Sequence, residues 1–249
     1  MASKVSWELF HEKLVDVEND AREELQELRA QAATVHGKDR TGHDSSVVAA
    51  ASTGDWYNET YCAFVHRAQT LEAADDFSVV AAFAYSWAAG IPTRSPSSAW
   101  GALSPSLTKL QDARLDYPGQ IGKSRRSLVK EVMKHFTGDH GVIMASKILH
   151  FIAPERVPII DSRVGMAWNR VRDKLATSPA DPQMPLKLGE TPGEISVKRF
   201  IDYWEILDQW KRSMPRPRGY RDLEGQIFRV GKLLAEIKAE KRARKKRNS

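Results

Sequence analysis

Cysteine is almost absent from this chain, since Cys62 is the single one in 249 residues. One thiol excludes an intramolecular disulfide, a four-cysteine zinc site and an iron–sulfur cluster held by four thiolates. Long apolar runs are missing too, because none reaches the roughly 18 residues that span a bilayer. The start, MASKVSWELFHEK, has no apolar segment followed by a cleavage site. We expect a cytoplasmic protein with no cofactor and no membrane partner.

The sequence also lacks strand-like alternation and the glycine-rich loops that bind nucleotide phosphates. What it has is the helical period, because residues 6–33, 124–136 and 197–211 each place their apolar side chains on one helical face. The Ala-rich and aromatic segment 55–89 indicates one or two more helices, and a last helix is expected from about Leu223. The pattern predicts an all-α protein, with two helical layers or subdomains flanking a cleft.

Loops and charge suggest the domain organisation. Gly, Pro and Ser at 91–106, and closely spaced prolines within 177–197, predict long loops. Residues 232–249 hold eight Lys or Arg and two Glu, a net charge equal to the +6 of the whole chain. We expect one helical domain over 1–237, with a subdivision near 91–123 as the alternative, and a basic tail over 238–249. The tail is either a solvated terminus or an arm that follows DNA phosphates.

One polar loop contains residue types that bind zinc. The segment VHGKDRTGHDSS carries His36, Asp39, His43 and Asp44. These residues have no helix or strand to frame them, which a structural metal site usually requires. A solvated loop is therefore the favoured interpretation, and no metal is expected.

The most unusual polar residues are a lysine and an aspartate set in apolar sequence. Lys147 lies within GVIMASKILHF, and Asp161 follows RVPII and directly precedes SRVGMAW. A lysine removed from water has a lowered pKa, which yields the neutral amine that a nucleophile requires. An aspartate at a helix N-cap is held ionised by backbone amides and the helix dipole. Each has a structural alternative: Lys147 could extend along an amphipathic helix towards water, and Asp161 could be a cap alone.

An amine beside a fixed carboxylate suits displacement at a sugar carbon through a cationic, oxocarbenium-like transition state. The carboxylate would stabilise the developing positive charge, and the amine would capture the carbon as a Schiff base. Phosphoryl transfer fits less well, because no set of metal-binding carboxylates is visible in the sequence.

This part of the chain resembles the helix-hairpin-helix superfamily of DNA glycosylases, and more narrowly bacterial proteins with an 8-oxoguanine-DNA-glycosylase-like fold. HGVIMASKILHF looks like the hairpin and the catalytic-lysine helix of that family, and RVPIIDSRV looks like its hydrophobe-Pro-hydrophobe-Asp segment. The resemblance implies that Lys147 is the nucleophile and Asp161 the assisting carboxylate. The hairpin would contact phosphate through His140, Gly141 and Val142. Further DNA contacts are expected from basic side chains, namely Lys123, Arg125, Arg126 and Arg163.

The function implied is a DNA N-glycosylase, with or without lyase activity at the abasic site. Its partner would be double-stranded DNA containing a damaged or modified base, which the protein, expected to be a monomer, flips out and excises. Phe151 and Trp204 are either walls of the base pocket or core residues. An oxidised purine is the family's usual substrate, whereas the two long loops leave room for a bulkier base such as those of phage DNA.

Two other functional classes stay open. A non-catalytic DNA-binding module would use Lys147 and Asp161 as a structural ion pair and the basic tail for affinity. A helical adaptor for another protein would not respond to DNA at all.

Overall fold

The computed structural model describes residues 5–35, 62–63, 65–66, 123–133, 141–152, 154–177, 182, 184–214 and 219–248. Within these ranges every regular element is a helix, and no strand occurs. The expectation of an all-α protein is confirmed for this part of the chain. The helices are α1 (Trp7–Val35), α2 (Lys123–Met133), α3 (Gly141–Ile152), α4 (Ser162–Ala176), a 3-10 turn (Pro192–Glu194), α5 (Val197–Ser213) and α6 (Tyr220–Asn248).

The predicted helices agree well with the observed ones where both can be compared. The segments 6–33, 124–136 and 197–211 correspond to α1, α2 and α5. The last helix begins one turn before the predicted Leu223, at Tyr220, directly after Gly219. Of the expected helical segment 55–89, residues 62–63 and 65–66 are helical. The rest of that segment, the loop at 91–106 and the polar loop with His36 and Asp39 lie outside the described residues.

Helix α4 lies at the centre of the first group of helices. Both α1 and α6 pack along it, and they also pack against each other. An aromatic cluster joins α1, α4 and α5: the ring of Phe10 lies 5.1 Å from that of Trp168, which lies 5.6 Å from Trp210. The Trp210 indole donates a hydrogen bond of 2.8 Å to the Val5 carbonyl. These rings are almost fully buried, so they anchor the N-terminal helix to the core.

Two glycines allow backbones to approach α4 closely. A Cβ atom on Gly165 would overlap the carbonyl of Gly189, and one on Gly231 of α6 would overlap the carbonyl of Arg163. Neither position therefore has room for a side chain. As a result α6 lies directly against the first turn of α4, which follows Asp161 in the chain.

The second group of helices carries the lysine. Helix α2 packs on α3, and α5 packs on α2. Arg125 of α2 makes an ion pair of 2.5 Å with Asp208 of α5, and its guanidinium lies 4.4 Å from the centre of the Trp204 ring. This contact between α2 and α5 is mostly shielded from solvent, so it stabilises the packing that surrounds α3.

The described part of the 177–197 segment is irregular, as the prolines predict, but it is packed onto α4. The Trp168 indole donates to the Leu186 carbonyl at 2.9 Å. The Asn169 amide bonds both backbone groups of Leu188, at 2.9 and 3.0 Å. Met184, Leu188 and Ile195 are buried. This part of the segment is therefore anchored over much of its length.

The basic C-terminal segment is a continuation of α6. The helix passes through residue 238, the expected start of the tail, without a break. Lys241 forms an ion pair of 2.5 Å with Glu24 of α1, and Arg244 donates to the Leu28 carbonyl and to Gln31. The segment is thus held against α1 in this structure, rather than lying free in solvent. None of the helices described combines the length and the apolar character needed to cross a bilayer.

Candidate functional site

Lys147 lies on the buried helix α3, as predicted. Residues 141–150 are all buried, and Lys147 itself is 8% exposed. Burial lowers the pKa of its amine, the negative charge of Asp161 raises it, and the positive charge of Arg163 lowers it, with burial the largest effect. The amine is therefore held in surroundings that favour its neutral form, in which it can act as a nucleophile.

Asp161 is the N-cap of α4, which confirms that prediction. Its backbone is extended, with φ −149° and ψ −179°, and its Oδ1 accepts hydrogen bonds from the amides of Arg163 and Val164 at 2.9 Å each. These bonds occupy one carboxylate oxygen at the helix end. The side chain is 8% exposed, like that of Lys147. Asp161 is thus fixed by its own helix and lies near enough to the amine to affect its pKa.

A buried serine holds α3 and the segment before Asp161 together. Ser146 Oγ accepts a hydrogen bond from the Ile160 amide at 3.2 Å, and its hydroxyl lies 2.8 Å from the Ile143 carbonyl and 3.3 Å from the Ile160 carbonyl. Ser146 and Ile160 are the chain neighbours of Lys147 and Asp161. Their bonds therefore bring the lysine and the aspartate to one place.

Two further buried side chains hold the same segment. His150 of α3 bonds the Val157 carbonyl through Nδ1 at 2.6 Å. Glu224 of α6 accepts the Ile159 amide through Oε1 at 2.5 Å. Burial lowers the pKa of His150 to about 4, so its ring is neutral near pH 7 and Nδ1 is the donor in this bond. Residues 157–160 are thus fixed from α3 on one side and from α6 on the other.

Glu224 and Tyr203 extend the polar cluster behind Asp161. Burial, with the charge of Asp161 adding to it, raises the pKa of Glu224 well above its ordinary value. Burial and the charges of Glu224 and Asp161 likewise raise the pKa of Tyr203. The Tyr203 hydroxyl is buried and has no hydrogen-bond partner within the described structure. Such a group is uncommon in folded proteins.

The sequence prediction missed these supporting residues, although a signal for Glu224 was present. Apolar residues recur in α6 at Tyr220, Leu223, Ile227 and Val230, and Glu224 falls on the same helical face. A single carboxylate on an apolar face is the same kind of signal that identified Lys147. Tyr203 had no comparable signal, because a tyrosine on an apolar face is usually a core residue.

The hairpin residues expected to contact phosphate are only partly described. Gly141 and Val142 form the start of α3 and are buried, and Gly141 packs against Met133 of α2. His140 lies outside the described residues. Contact between the start of α3 and a phosphate thus stays a prediction.

The basic residues expected to bind DNA differ in their surroundings. Arg126 is exposed on α2, whereas Arg125 is engaged by Asp208 and Trp204 and stabilises helix packing. Arg163 is partly buried, with its guanidinium carbon 5.4 Å from the centre of the Phe228 ring. Lys123 begins α2. Arg126 is therefore the most accessible of the three arginines for a phosphate.

The two aromatic residues considered for a base pocket lie in the core. Phe151 and Trp204 are both 0% exposed. The Trp204 indole donates to the Tyr220 hydroxyl at 3.1 Å, and its ring is covered by Arg125. A flipped base would need an exposed ring face, so the structure favours the core interpretation for both.

A basic face exists near the end of α6. Lys238, Arg242 and Lys245 are exposed and follow each other at spacings of four and three residues, which places them on one side of the helix. Lys241 and Arg244 point to α1 instead, where they make the contacts described above. We call Lys238, Arg242 and Lys245 the basic face. Cations near a helix C-terminus also interact favourably with the helix dipole, so the face has a structural explanation as well.

In the described ranges no three His, Cys, Asp or Glu side chains come together as metal ligands. Comparison of the chain with protein-family models, with curated proteins and with solved structures gave no match. The description of the site therefore rests on its own side chains, which are a buried amine and a nearby helix-capping carboxylate.

Proposed function

We propose that this protein is a DNA N-glycosylase in which Lys147 is the nucleophile and Asp161 the assisting carboxylate. The observation that carries the proposal is the joint placement of a desolvated amine and a fixed carboxylate, both of them buried at 8% exposure. The helix-hairpin-helix fold belongs to the same proposal. It is supported by the packing of α2 on α3, whose described ends are separated by seven residues in the sequence.

The reaction uses the two groups in sequence. The neutral Lys147 amine attacks C1′ of the flipped nucleotide, and the bond from C1′ to the base breaks with its electron pair leaving on the base. The base takes up the proton that the new ammonium loses. The Asp161 carboxylate stabilises the positive charge that develops on the sugar during this exchange.

The resulting intermediate explains why lyase activity is part of the proposal. Opening of the sugar ring gives a Schiff base between C1′ and Lys147, with the ring oxygen protonated. Loss of a C2′ proton then expels the 3′ phosphate, or water hydrolyses the Schiff base and regenerates the amine. After elimination the remaining Schiff base is hydrolysed by water as well, so both routes end with the free Lys147 amine.

The non-catalytic alternative is less well supported. It requires Lys147 and Asp161 to be a structural ion pair, but in the described part of the chain neither of them forms an ion pair within 4.0 Å. A lysine that is buried without such a pair weakens the fold, which is a cost often accepted at functional sites.

The proposal is tested by measuring released bases. The purified protein is incubated with DNA containing oxidised purines, with phage DNA containing modified cytosines and with unmodified DNA, and free bases are identified by mass spectrometry. We expect release from at least one modified DNA, and a loss of at least about 100-fold in Lys147→Ala and Asp161→Asn, in the range found when a nucleophile or a charge-stabilising group is removed.

The control is Lys130→Ala, which removes an exposed lysine from α2. It should release the base at the wild-type rate. Equal activity of folded Asp161→Asn and wild type would contradict the catalytic role. Absence of base release from every DNA, together with salt-sensitive binding, would favour the non-catalytic module.

A further inference from the structure

We infer that Glu224 is a positioning residue for Asp161: it fixes the backbone that delivers the carboxylate to Lys147. This inference rests on the proposed function for its catalytic consequence, although its structural part can be tested without any activity.

The segment 157–160 is held by hydrogen bonds from two helices. Ser146 and His150 bond Ile160 and Val157 from α3. The amide of Ile159, two residues before Asp161, points the other way and donates to Glu224 Oε1 at 2.5 Å. Glu224 is thus the group that holds this segment from α6, and it is 5% exposed.

A glycine of α6 provides a second contact between α6 and the chain around Asp161. Gly231 lies two turns after Glu224 and allows α6 to touch the carbonyl of Arg163, in the first turn of α4. Helix α6 therefore contacts the chain on both sides of Asp161, before it through Glu224 and after it through Gly231. A change in the position of α6 would be transmitted to the carboxylate from both sides.

The protonation state of Glu224 suits this role. Burial and the charge of Asp161 raise its pKa, whereas the Ile159 hydrogen bond and the charges of Lys211 and Arg221 lower it, with burial the largest effect. A neutral carboxyl group still accepts the Ile159 hydrogen bond through its carbonyl oxygen. The raised pKa favours the neutral form of Glu224 beside the carboxylate of Asp161.

The role predicts different results for two substitutions. Glu224→Gln keeps a neutral oxygen acceptor of the same length, so base release should stay within about 3-fold of wild type, a change of only about 0.7 kcal/mol in the barrier. Glu224→Ala leaves the Ile159 amide unpaired and releases the segment. Its kcat should fall by about 10-fold or more, while its KM for DNA should change little, because the altered geometry affects the reacting pair.

A matched control separates positioning from loss of stability. Asn169→Ala, on the helix α4 that Asp161 caps, also removes a buried side chain that bonds backbone groups, those of Leu188. Its thermal stability should fall as in Glu224→Ala, but kcat per folded molecule should stay at the wild-type value. Equal kcat in the two variants would overturn the inference. So would a loss in Glu224→Gln as large as in Glu224→Ala, because the carboxyl group itself would then be required.

A second readout keeps the test valid if the protein releases no base. Reductive methylation with formaldehyde and a borane, followed by peptide mass spectrometry at several pH values, reports the pKa of the Lys147 amine. The charge of Asp161 raises the pKa of Lys147. Removing that charge in Asp161→Asn, or displacing it in Glu224→Ala, should therefore lower this pKa. Asn169→Ala should leave it unchanged. If the pKa of Lys147 changes in this way but no base is released from any DNA, the positioning role of Glu224 is supported and the proposed glycosylase function is rejected. A wild-type pKa in Glu224→Ala would reject positioning.

Discussion

The Ser146 hydroxyl oxygen accepts a hydrogen bond from the Ile160 amide at 3.2 Å, which joins α3 to the segment that leads into α4. Both partners are fully buried. The next residue after each is a member of the candidate pair, Lys147 after Ser146 and Asp161 after Ile160. The relative position of amine and carboxylate thus depends on this buried contact, together with those of His150 and Glu224, rather than on a direct bond between them.

Replacing Lys147 by an apolar residue of similar length should stabilise the protein at neutral pH. Burial lowers the pKa of the amine, so the unfolded state binds more protons than the folded state at pH values between the folded pKa and the ordinary value of 10.5. Wild-type stability should therefore rise with pH in that window. We expect Lys147→Met to be more stable than wild type by about 1 kcal/mol or more near pH 7, with the difference decreasing towards pH 10.5.

Urea unfolding at several pH values measures this effect. A Lys147→Met protein that is less stable than wild type near pH 7, or a difference that is constant with pH, would show that the lysine is not desolvated. Lys130→Met is the control on exposed α2 surface, and its difference from wild type should not vary with pH.

The neutral His150 ring should make the fold sensitive to acid. Its pKa is lowered from 6.5 to about 4, so between these values the unfolded state takes up a proton that the folded state does not. The contribution of His150 to the free energy of unfolding is complete above pH 6.5 and is lost as the pH falls to about 4. The loss amounts to roughly 3 kcal/mol. His150→Gln keeps an N–H donor for Val157 but does not titrate. Chemical denaturation at pH 7 and at pH 4 should show a smaller acid loss in the variant than in wild type, and equal losses would contradict the assignment.

Two glycines of α6 should respond in opposite ways to alanine. A Cβ on Gly231 would overlap the Arg163 backbone, whereas nothing lies within 4 Å of one on Gly225. Gly231→Ala should therefore destabilise by about 1–3 kcal/mol, because backbone atoms must move. Gly225→Ala should stabilise by about 0.5–1 kcal/mol through helix propensity. Unfolding free energies of both variants decide this, and a similar effect at the two positions would show that α6 does not lie against α4.

The basic face of α6 should supply salt-sensitive DNA affinity. Changing Lys238, Arg242 and Lys245 together to Gln removes exposed cations from one side of the helix. If each neutralises a phosphate, the slope of log affinity against log salt should decrease by up to about 0.9 for each lost contact. Titration of labelled duplex DNA at several salt concentrations measures the slope. Lys241→Gln is the control, because Lys241 is paired with Glu24. If Lys241→Gln reduces the salt slope as much as the triple variant does, or if the triple variant leaves the slope unchanged, the basic face does not bind DNA phosphates.

Much of the fold could be predicted from local pattern. The apolar period located α1, α2 and α5 because each buries apolar side chains on one face. Asp161 could be identified as an N-cap because capping depends on a few neighbouring residues. Helix α3 was recognisable since it is apolar nearly all round, which marks a buried helix.

The parts that could not be predicted depend on contacts between distant residues. By composition the tail was either a solvated terminus or an arm that follows DNA phosphates, yet Lys241 and Arg244 contact α1, more than 200 positions away for Arg244 and Leu28. Arg125 was expected to meet DNA, but its partner Asp208 lies 83 residues further along the chain. The support of Asp161 by Glu224 is of the same kind. Sequence pattern indicated which residues are unusual, and tertiary packing determined what each one contacts.

Borohydride trapping tests the central claim, that Lys147 attacks the sugar, most directly. Reduction converts a Schiff base into a stable amine, so the protein should become covalently joined to a DNA from which it releases a base, and peptide mass spectrometry should locate the link at Lys147. Lys147→Ala should form no adduct. Lys211 is a second lysine whose pKa is lowered, mainly by burial, so Lys211→Ala is the stringent control and should be trapped like wild type. An adduct that persists in Lys147→Ala, or base release by wild type without any adduct, would contradict the account.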